Sequence, residues 1–312
     1  MGDDSRMPEL PEAVFVVGVS RSGTTLLRRV LESTSVIAIA GENHFVGHLL
    51  ARESARRYFR RLGDFRDDAT IRRIVEFLWS GEFQRQSKLR EISPFWRWVP
   101  KNLDRDDLER RLLAAERTDR GLFEAFLRAY ADKVGKQVIG EKTPAHINHA
   151  DELLEWFPDA RIVHMVRDPR GVYVSELRRR TGKHTSFPYR QLFRVRPLFA
   201  LFILLQVTLA WRQAARHHRM LLARYPEHYR KVHFEALVRE PEATLTDLFA
   251  FLGIEMEAAV LRQKVVSYGV NLGSEGFDAT AADRWQSSIS GKADRWLRIV
   301  LRGPMRTLGY RP

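Results

Sequence analysis

The chain has 312 residues, no cysteine and a net charge of +13, with an isoelectric point of about 10.3. The lack of cysteine excludes disulfides, thiolate metal sites and a cysteine nucleophile. The basic balance points to anionic partners such as nucleotides, acidic polymers or lipid headgroups, or to no more than a solvated arginine-rich surface.

Met1–Leu10 lacks the basic-then-apolar pattern of a signal peptide, and Arg6 stands where a myristoylation signal needs Ser or Thr. We therefore expect a cytoplasmic protein. Residues 1–11 read as a loose tail ahead of a single α/β domain over 12–312. Val14–Val17 reads as a buried strand. It runs into Gly18-Val-Ser-Arg-Ser-Gly-Thr-Thr and then a helix over Thr24–Ser33, with Leu26, Leu27, Val30 and Leu31 on one stripe. A strand, a glycine-bearing turn and a helix start aim backbone N–H groups at one spot, which suits a phosphate. The spacing is Gly-x-x-x-x-Gly-x-Thr. Thr24 stands where nucleotide triphosphatases carry Lys, and the loop's cation is Arg21.

A second strand, Val36–Ala40, ends in Gly41-Glu42-Asn43-His44. Residues 45–135 read as an arginine-rich helical insert, with helices at about 45–62, 68–79, 104–117 and 120–133. Ser93–Pro100 reads as a turn-rich segment. Its Phe95, Trp96 and Trp98 form either a core-edge cluster or one wall of an acceptor pocket. A strand over Gln137–Gly140 enters Glu141-Lys142-Thr143-Pro144, and a helix follows from about 147 to Trp156. Arg161–Val166 is nearly all apolar, as a central parallel strand should be. It enters Arg167-Asp168-Pro169, with Pro169 opening a helix that carries Ser175 and Arg178–Arg180.

Thr181–Pro197 reads as a basic loop, and a long helix follows to Arg224. Its apolar run, Leu198–Trp211, is shorter than the roughly 20 residues of a membrane span, so a buried helix is expected. Arg190, Arg194, Arg196, Arg212 and Arg216 flank that run and leave contact with a membrane surface open. A strand over Lys231–Phe234, a helix over Leu245–Leu252 stopped by Gly253, and a helical segment at about 292–308 complete the chain.

Strands alternating with helices predict a P-loop-type parallel sheet flanked by helices on both faces. Ligands then bind at the carboxyl ends of the strands. The loop after the first strand, Glu42 after the second, Lys142 after the third and Arg167 after the fourth all fall on that edge. Arg167 and Ser175, with Arg179 one turn further on, offer a second anion site. A nucleotide with phosphates at both its 5′ and 3′ positions would fill both.

These residues carry a resemblance. RSGTT after a strand looks like the 5′-phosphosulfate loop of sulfotransferases that use 3′-phosphoadenosine 5′-phosphosulfate (PAPS). VRDPRGVYVS looks like their 3′-phosphate motif, GEKTP resembles the segment with a catalytic lysine, and HFEALVREP resembles a later block usually begun with Tyr. The branch of tyrosylprotein and many bacterial sulfotransferases is the most similar, since there a Glu in a Gly-Glu pair serves as base. The resemblance implies PAPS as donor, no metal, and a hydroxyl-bearing acceptor such as a sugar, lipid, peptide or small metabolite. It implies Glu42 as base, Lys142 on the leaving oxygen, and Arg21 on the transferring sulfonate. Ser22, Gly23, Thr24 and Thr25 would hold the 5′-phosphate, and Arg167, Ser175 and Arg179 the 3′-phosphate. Phe234 stands in place of the Tyr. The block Arg284-Trp285-Gln286-Ser287 to Gly291-Lys292 matches weakly, which makes Trp285 and Lys292 candidates for closing over the nucleotide.

Each role has a plainer alternative. Glu42 could be a helix N-terminal carboxylate, and His44 or His146 could be the base instead. Two other functions fit the composition. A kinase-like enzyme using ATP needs a loop lysine and a magnesium-binding Asp that are not evident. A basic binding protein without activity is the other, although no nucleic-acid motif is present.

Overall fold

The structure is a computed structural model that describes residues 10–47, 54–83, 95–181, 193–267 and 270–312. Most of the expected tail, the middle of the expected 45–62 helix, Ser93-Pro94 and most of the expected basic loop lie outside the described residues.

β1 (Ala13–Gly18) leads into α1 (Thr24–Glu32) and β2 (Ile37–Ala40). Next come α2 (Ala55–Arg60), α3 (Asp68–Trp79), α4 (Phe95–Asn102), α5 (Arg105–Ala114) and α6 (Asp119–Lys133). β3 (Val138–Lys142) passes through a 3₁₀ turn at Pro144–His149 into α7 (Ala150–Trp156), β4 (Arg161–Val166) and α8 (Pro169–Thr181). α9 (Arg196–Arg224) returns the chain to β5 (Tyr229–His233), followed by α10 (Phe234–Arg239) and α11 (Pro241–Leu252). A hairpin of β6 (Lys264–Ser267) and β7 (Val270–Glu275) precedes α12 (Gly291–Val300) and α13 (Arg302–Thr307).

β1 to β5 form one sheet in the order β2-β3-β1-β4-β5, with every pairing parallel. The expected α/β sheet with helices on both faces is present. The reason is legible in β1, where all six residues are buried. Phe15 and Val17 pack into one core cluster and Val14 and Val16 into another, so the strand is apolar on both faces. Register places the ends of the strands side by side. Val16 pairs with Lys142, Ala40 with Glu141, and Gly18 with Met165.

The segment expected to be turn-rich at 93–100 is instead helix α4 from Phe95 onward, with Pro100 inside it. Trp96 explains this. Its indole meets Phe59 at 5.3 Å and Phe126 at 5.2 Å between ring centroids, both edge-on, and is 1% exposed. Burying an indole removes roughly 200 Å² of surface, worth about 5 kcal/mol. That exceeds the roughly 3 kcal/mol cost of an interior proline. Other bounds shift modestly. β3 extends to Lys142, β5 begins at Tyr229, and a 3₁₀ turn takes the first residues expected of the helix before Trp156. The β6–β7 hairpin has no counterpart in the sequence expectations.

Candidate active site

The loop after β1 closes around three residues with positive φ. Gly18 has φ 149°, and a Cβ there would lie 2.3 Å from the carbonyl oxygen of Met165 on β4. Only glycine lets the loop pass so close to the neighbouring strand. Gly23 has φ 102° and directly precedes α1, and a Cβ on it would lie 2.5 Å from Cδ2 of Phe234. Arg21, at φ 72°, is held in this conformation from two sides. Its Nε donates to Ser175 Oγ at 3.2 Å, and its carbonyl accepts from Arg167 Nη1 at 3.4 Å. The first N–H groups of α1 have no intrahelical acceptor and face outward from the loop.

A cleft of about 370 Å³ opens over this loop. Arg21, Gly23, Thr24 and Thr25 line it together with Arg167, Ser175, Phe234 and Trp285. Arg29, Lys264 and Arg284 bring further positive charge, against the carboxylate of Asp278, which pairs with Arg284 and is the one acidic side chain lining the cleft among the described residues. Burial pushes the Arg21 guanidinium below its ordinary proton affinity, and the charge of Arg179 adds to that, while Glu176 and Glu42 oppose it. Arg29 Nε is buried with no hydrogen-bond partner among the described residues. Such a donor set fits a ligand with several negative charges.

Phe234, where the family usually has Tyr, packs its ring against Arg167. The Arg167 guanidinium lies 4.3 Å from the centre of its ring, a cation–π contact, while Arg167 Nη2 donates to the Ala281 carbonyl at 3.0 Å. Arg167 thus ties the end of β4 to the loop and to the segment after β7. Gly171 lets Arg167 and Trp285 approach α8, since a Cβ there would sit 3.0 Å from Arg167 Nε and 3.2 Å from Trp285 Cδ1.

Next to the cleft, Glu42 and Lys142 form an ion pair at 2.9 Å. The other carboxylate oxygen of Glu42 accepts from His44 Nε2 at 3.0 Å. Burial alone would push the Glu42 carboxyl up. The His44 hydrogen bond and the Lys142 charge outweigh burial and hold it at about 2. Beneath this pair runs a buried network. Asn43 N–H donates to Thr143 Oγ1 at 3.1 Å, and Thr143 Oγ1 donates to Glu141 Oε2 at 2.5 Å. Glu141 Oε1 meets His146 Nδ1 at 2.5 Å, with both residues 0% exposed. Asn43 and Thr143 follow Glu42 and Lys142 directly, so one hydrogen bond fixes the spacing of the two loops. Trp96 Nε1 reinforces it by donating to the Asn43 carbonyl at 2.7 Å.

The structure brings together Arg21, Gly23, Thr24, Thr25, Arg167, Ser175, Phe234 and Trp285 in the cleft, and Glu42 with Lys142 beside it. Ser22 lies beneath the loop, its Oγ buried without a partner among the described residues. Arg179 turns to Glu176, at 3.2 Å, and reaches the cleft only through its charge on Arg21. Lys292 is exposed in the first turn of α12 and is not among the residues lining the cleft. His146 is locked in the buried pair with Glu141, which makes it a support of the β3 end. Sequence reasoning missed Arg29, Gly171, Lys264 and Asp278. The spacing of Arg29, four residues after Thr25 on one helical face, could have found it. Lys264 and Asp278 arrive with the unexpected hairpin, for which Val265, Val266 and Val270 around a Gly-containing turn are the signal that could have found it.

The sequence profile of the sulfotransferase family (Sulfotransfer_3) matches residues 11–258. No curated protein matches the sequence. Among solved structures, the sulfotransferase domain from the Synechococcus PCC 7002 olefin synthase is similar, with a TM-score of 0.55 at 21% identity over 98% of each chain. The sulfotransferase domain from the curacin biosynthetic pathway gives 0.56 at 18% identity, over 97% of this chain and all of that one, 100%. A sulfotransferase from Alicyclobacillus acidocaldarius gives 0.51 at 16% identity, over 96% and 94%. At such identities the likeness of structures shows the fold, and the profile, spanning most of the chain, shows the family. A P-loop-type sheet with a cationic cleft at its carboxyl edge, matched over residues 11–258, is that of a protein belonging to the sulfotransferase family.

Proposed function

We propose that the chain transfers a sulfuryl group from PAPS to an acceptor hydroxyl, with Glu42 as base and without a metal. The observation that carries this reading is the pair of anion grips in one cleft. The loop at 18–25 with α1 behind it lines a cleft of about 370 Å³ together with Arg167 and Ser175, and the Glu42–Lys142 pair stands next to Arg21. The donor set fits PAPS, which supplies an activated sulfuryl group on a 5′-phosphate and a second phosphate at the 3′ position. Loop N–H groups, Thr24 and Thr25 hold the 5′-phosphate, and Arg167 and Ser175 hold the 3′-phosphate. Arg29 is a further cation for this ligand.

In the reaction the acceptor oxygen forms a bond to sulfur as the bond from sulfur to the 5′-phosphate oxygen breaks. Glu42 takes the acceptor's proton, Lys142 neutralises the charge left on the phosphate oxygen, and Arg21 stabilises the equatorial oxygens. A carboxyl held at about 2 is a weak base. Lys142 must therefore turn from Glu42 to the leaving oxygen, which raises the proton affinity of Glu42 at the moment the proton departs. For the acceptor, a pocket of about 140 Å³ lined by Arg28, Gly41, Phe95, Trp98 and Tyr130 abuts the residue before Glu42.

The test is direct. The wild-type chain should bind 3′,5′-ADP without magnesium and turn over labelled PAPS with one of a pool of hydroxyl acceptors. Glu42→Gln should cut turnover by roughly 10²- to 10⁴-fold while 3′,5′-ADP affinity stays unchanged. Preference for magnesium-ATP would overturn the donor, and full turnover by Glu42→Gln would overturn the base.

A further inference from the structure

The surface of α9 facing away from the core is apolar in its first half and cationic in its second. Leu198, Leu201, Leu205 and Leu209 recur every three or four residues and are 41% to 53% exposed. Arg212 and Arg216, also exposed, continue the same stripe. The opposite side of the helix packs Phe199, Ile203, Val207 and Trp211 into the core. By length and composition α9 could cross a bilayer, yet its buried side packs into one core with α8, α12, α13 and the carboxyl edge of the sheet. Its outer stripe is what a second surface could meet.

α12 widens that stripe into a patch. Trp296 is 38% exposed and Ile299 68% exposed. Trp296 Nε1 donates to Thr208 Oγ1 on α9 at 3.2 Å, so the indole lies along the edge of the leucine row. Single exposed leucines are ordinary, but six large apolar side chains on two touching helices form a patch that marks an interaction surface. An indole with its N–H satisfied at such an edge suits the boundary between water and hydrocarbon.

Charge decides between occupants. α9 contains no Asp or Glu. Exposed Arg196 and Arg212 bracket the leucines, and exposed Arg295, Arg298 and Arg302 flank Trp296 and Ile299. A second copy of the chain would set arginines against arginines, whereas anionic headgroups supply the opposite sign around an apolar centre. We propose that the α9–α12 face docks flat on an anionic lipid surface. Docking also orients the molecule. The first half of α9 shares its core with Val19 and Val166, at the carboxyl edge of the sheet. Its other end passes through a 3₁₀ turn at Pro226–His228 into the start of β5, at the opposite edge. The patch therefore lies at the same edge as the cleft, and a docked chain draws its acceptor at the membrane.

The test needs no activity and does not depend on the donor. The full chain should float with phosphatidylcholine vesicles containing about a third phosphatidylglycerol, should not float with phosphatidylcholine alone, and should be released by high salt. Leu205→Glu with Leu209→Glu should weaken this binding roughly tenfold or more, with thermal unfolding unchanged because both side chains are exposed. If that double variant fails to fold, Ile299→Glu on the other helix serves in its place. Equal binding by the variants, binding to neutral vesicles alone, or no binding at all would overturn the proposal. So would a lipid-free dimer that Ile299→Glu turns into a monomer, since the face would then join two copies.

Discussion

Glu42 and Lys142 show how two residues far apart in the chain become an ion pair. Each stands at the end of a different strand, 100 residues apart in the chain. The parallel register of β2 and β3 brings their side chains within 2.9 Å, and the His44 hydrogen bond together with the Lys142 charge lowers the Glu42 carboxyl to about 2. The sign of the consequence is fixed. A carboxyl with a depressed pKa stays ionised as pH falls, so kcat/KM of the wild-type chain should show no acidic limb from Glu42 near pH 4. Lys142→Ala removes the positive charge and moves that pKa up. The variant should then lose kcat/KM on acidification at a higher pH than the wild type, besides a loss in kcat of roughly a hundredfold. An acidic limb at the same pH in both proteins would show that the ion pair does not set the Glu42 proton affinity.

At the scale of elements, β4, β5 and α9 bury a cluster of bases. Tyr229 Oη lies 2.7 Å from both His164 Nδ1 and His218 Nδ1, with Lys231 and His233 close by. Burial pushes His218 and His233 down to about 4, and Lys231 adds to the shift. His164 is pushed well below its ordinary value by burial and by the charge of His218. These groups are neutral when folded, whereas in the unfolded chain they take up protons near pH 6.5. Their contribution to stability is therefore complete above about pH 6.5 and is lost as pH falls towards 4. Urea midpoints measured at pH 7, 6 and 5 should decline steadily. A midpoint unchanged over that range would mean the histidines are not buried in the neutral form. This cluster was not legible in the sequence. His164 and His218 belong to apolar patterns far apart in the chain, and only the pairing of β4 with β5 and the packing of α9 bring them to one tyrosine.

On the scale of the whole molecule, the net charge of +13 is not evenly spread. Among the described residues, five cations against one carboxylate line the cleft, and a second concentration rims the α9–α12 face. On the proposed function, the first concentration makes binding of the nucleotide donor electrostatic. Affinity for 3′,5′-ADP should weaken by roughly tenfold when salt rises from about 50 to about 500 mM, because the screening length falls to a few ångströms. Affinity that ignores salt would show that the cleft cations are already neutralised by the protein itself.

By itself the sequence determined the strand-loop-helix around Gly18–Thr25, the parallel sheet, and most of the residues of the cleft. These are local signals. Glycine spacing, apolar runs and a proline at a helix start each act through a few neighbouring bonds. The loop, Glu42, Lys142, Arg167 and Ser175 could all be placed because ligands of such sheets gather at the strand ends. Only the tertiary structure decided which of them meet. Arg179 turned to Glu176, and Lys292 stayed in solvent. Trp96 went into the core, while the β6–β7 hairpin delivered Lys264 and Asp278 to the cleft. Those outcomes rest on burial and on long-range pairing, whose energies depend on what packs opposite a residue rather than on what stands beside it in the chain.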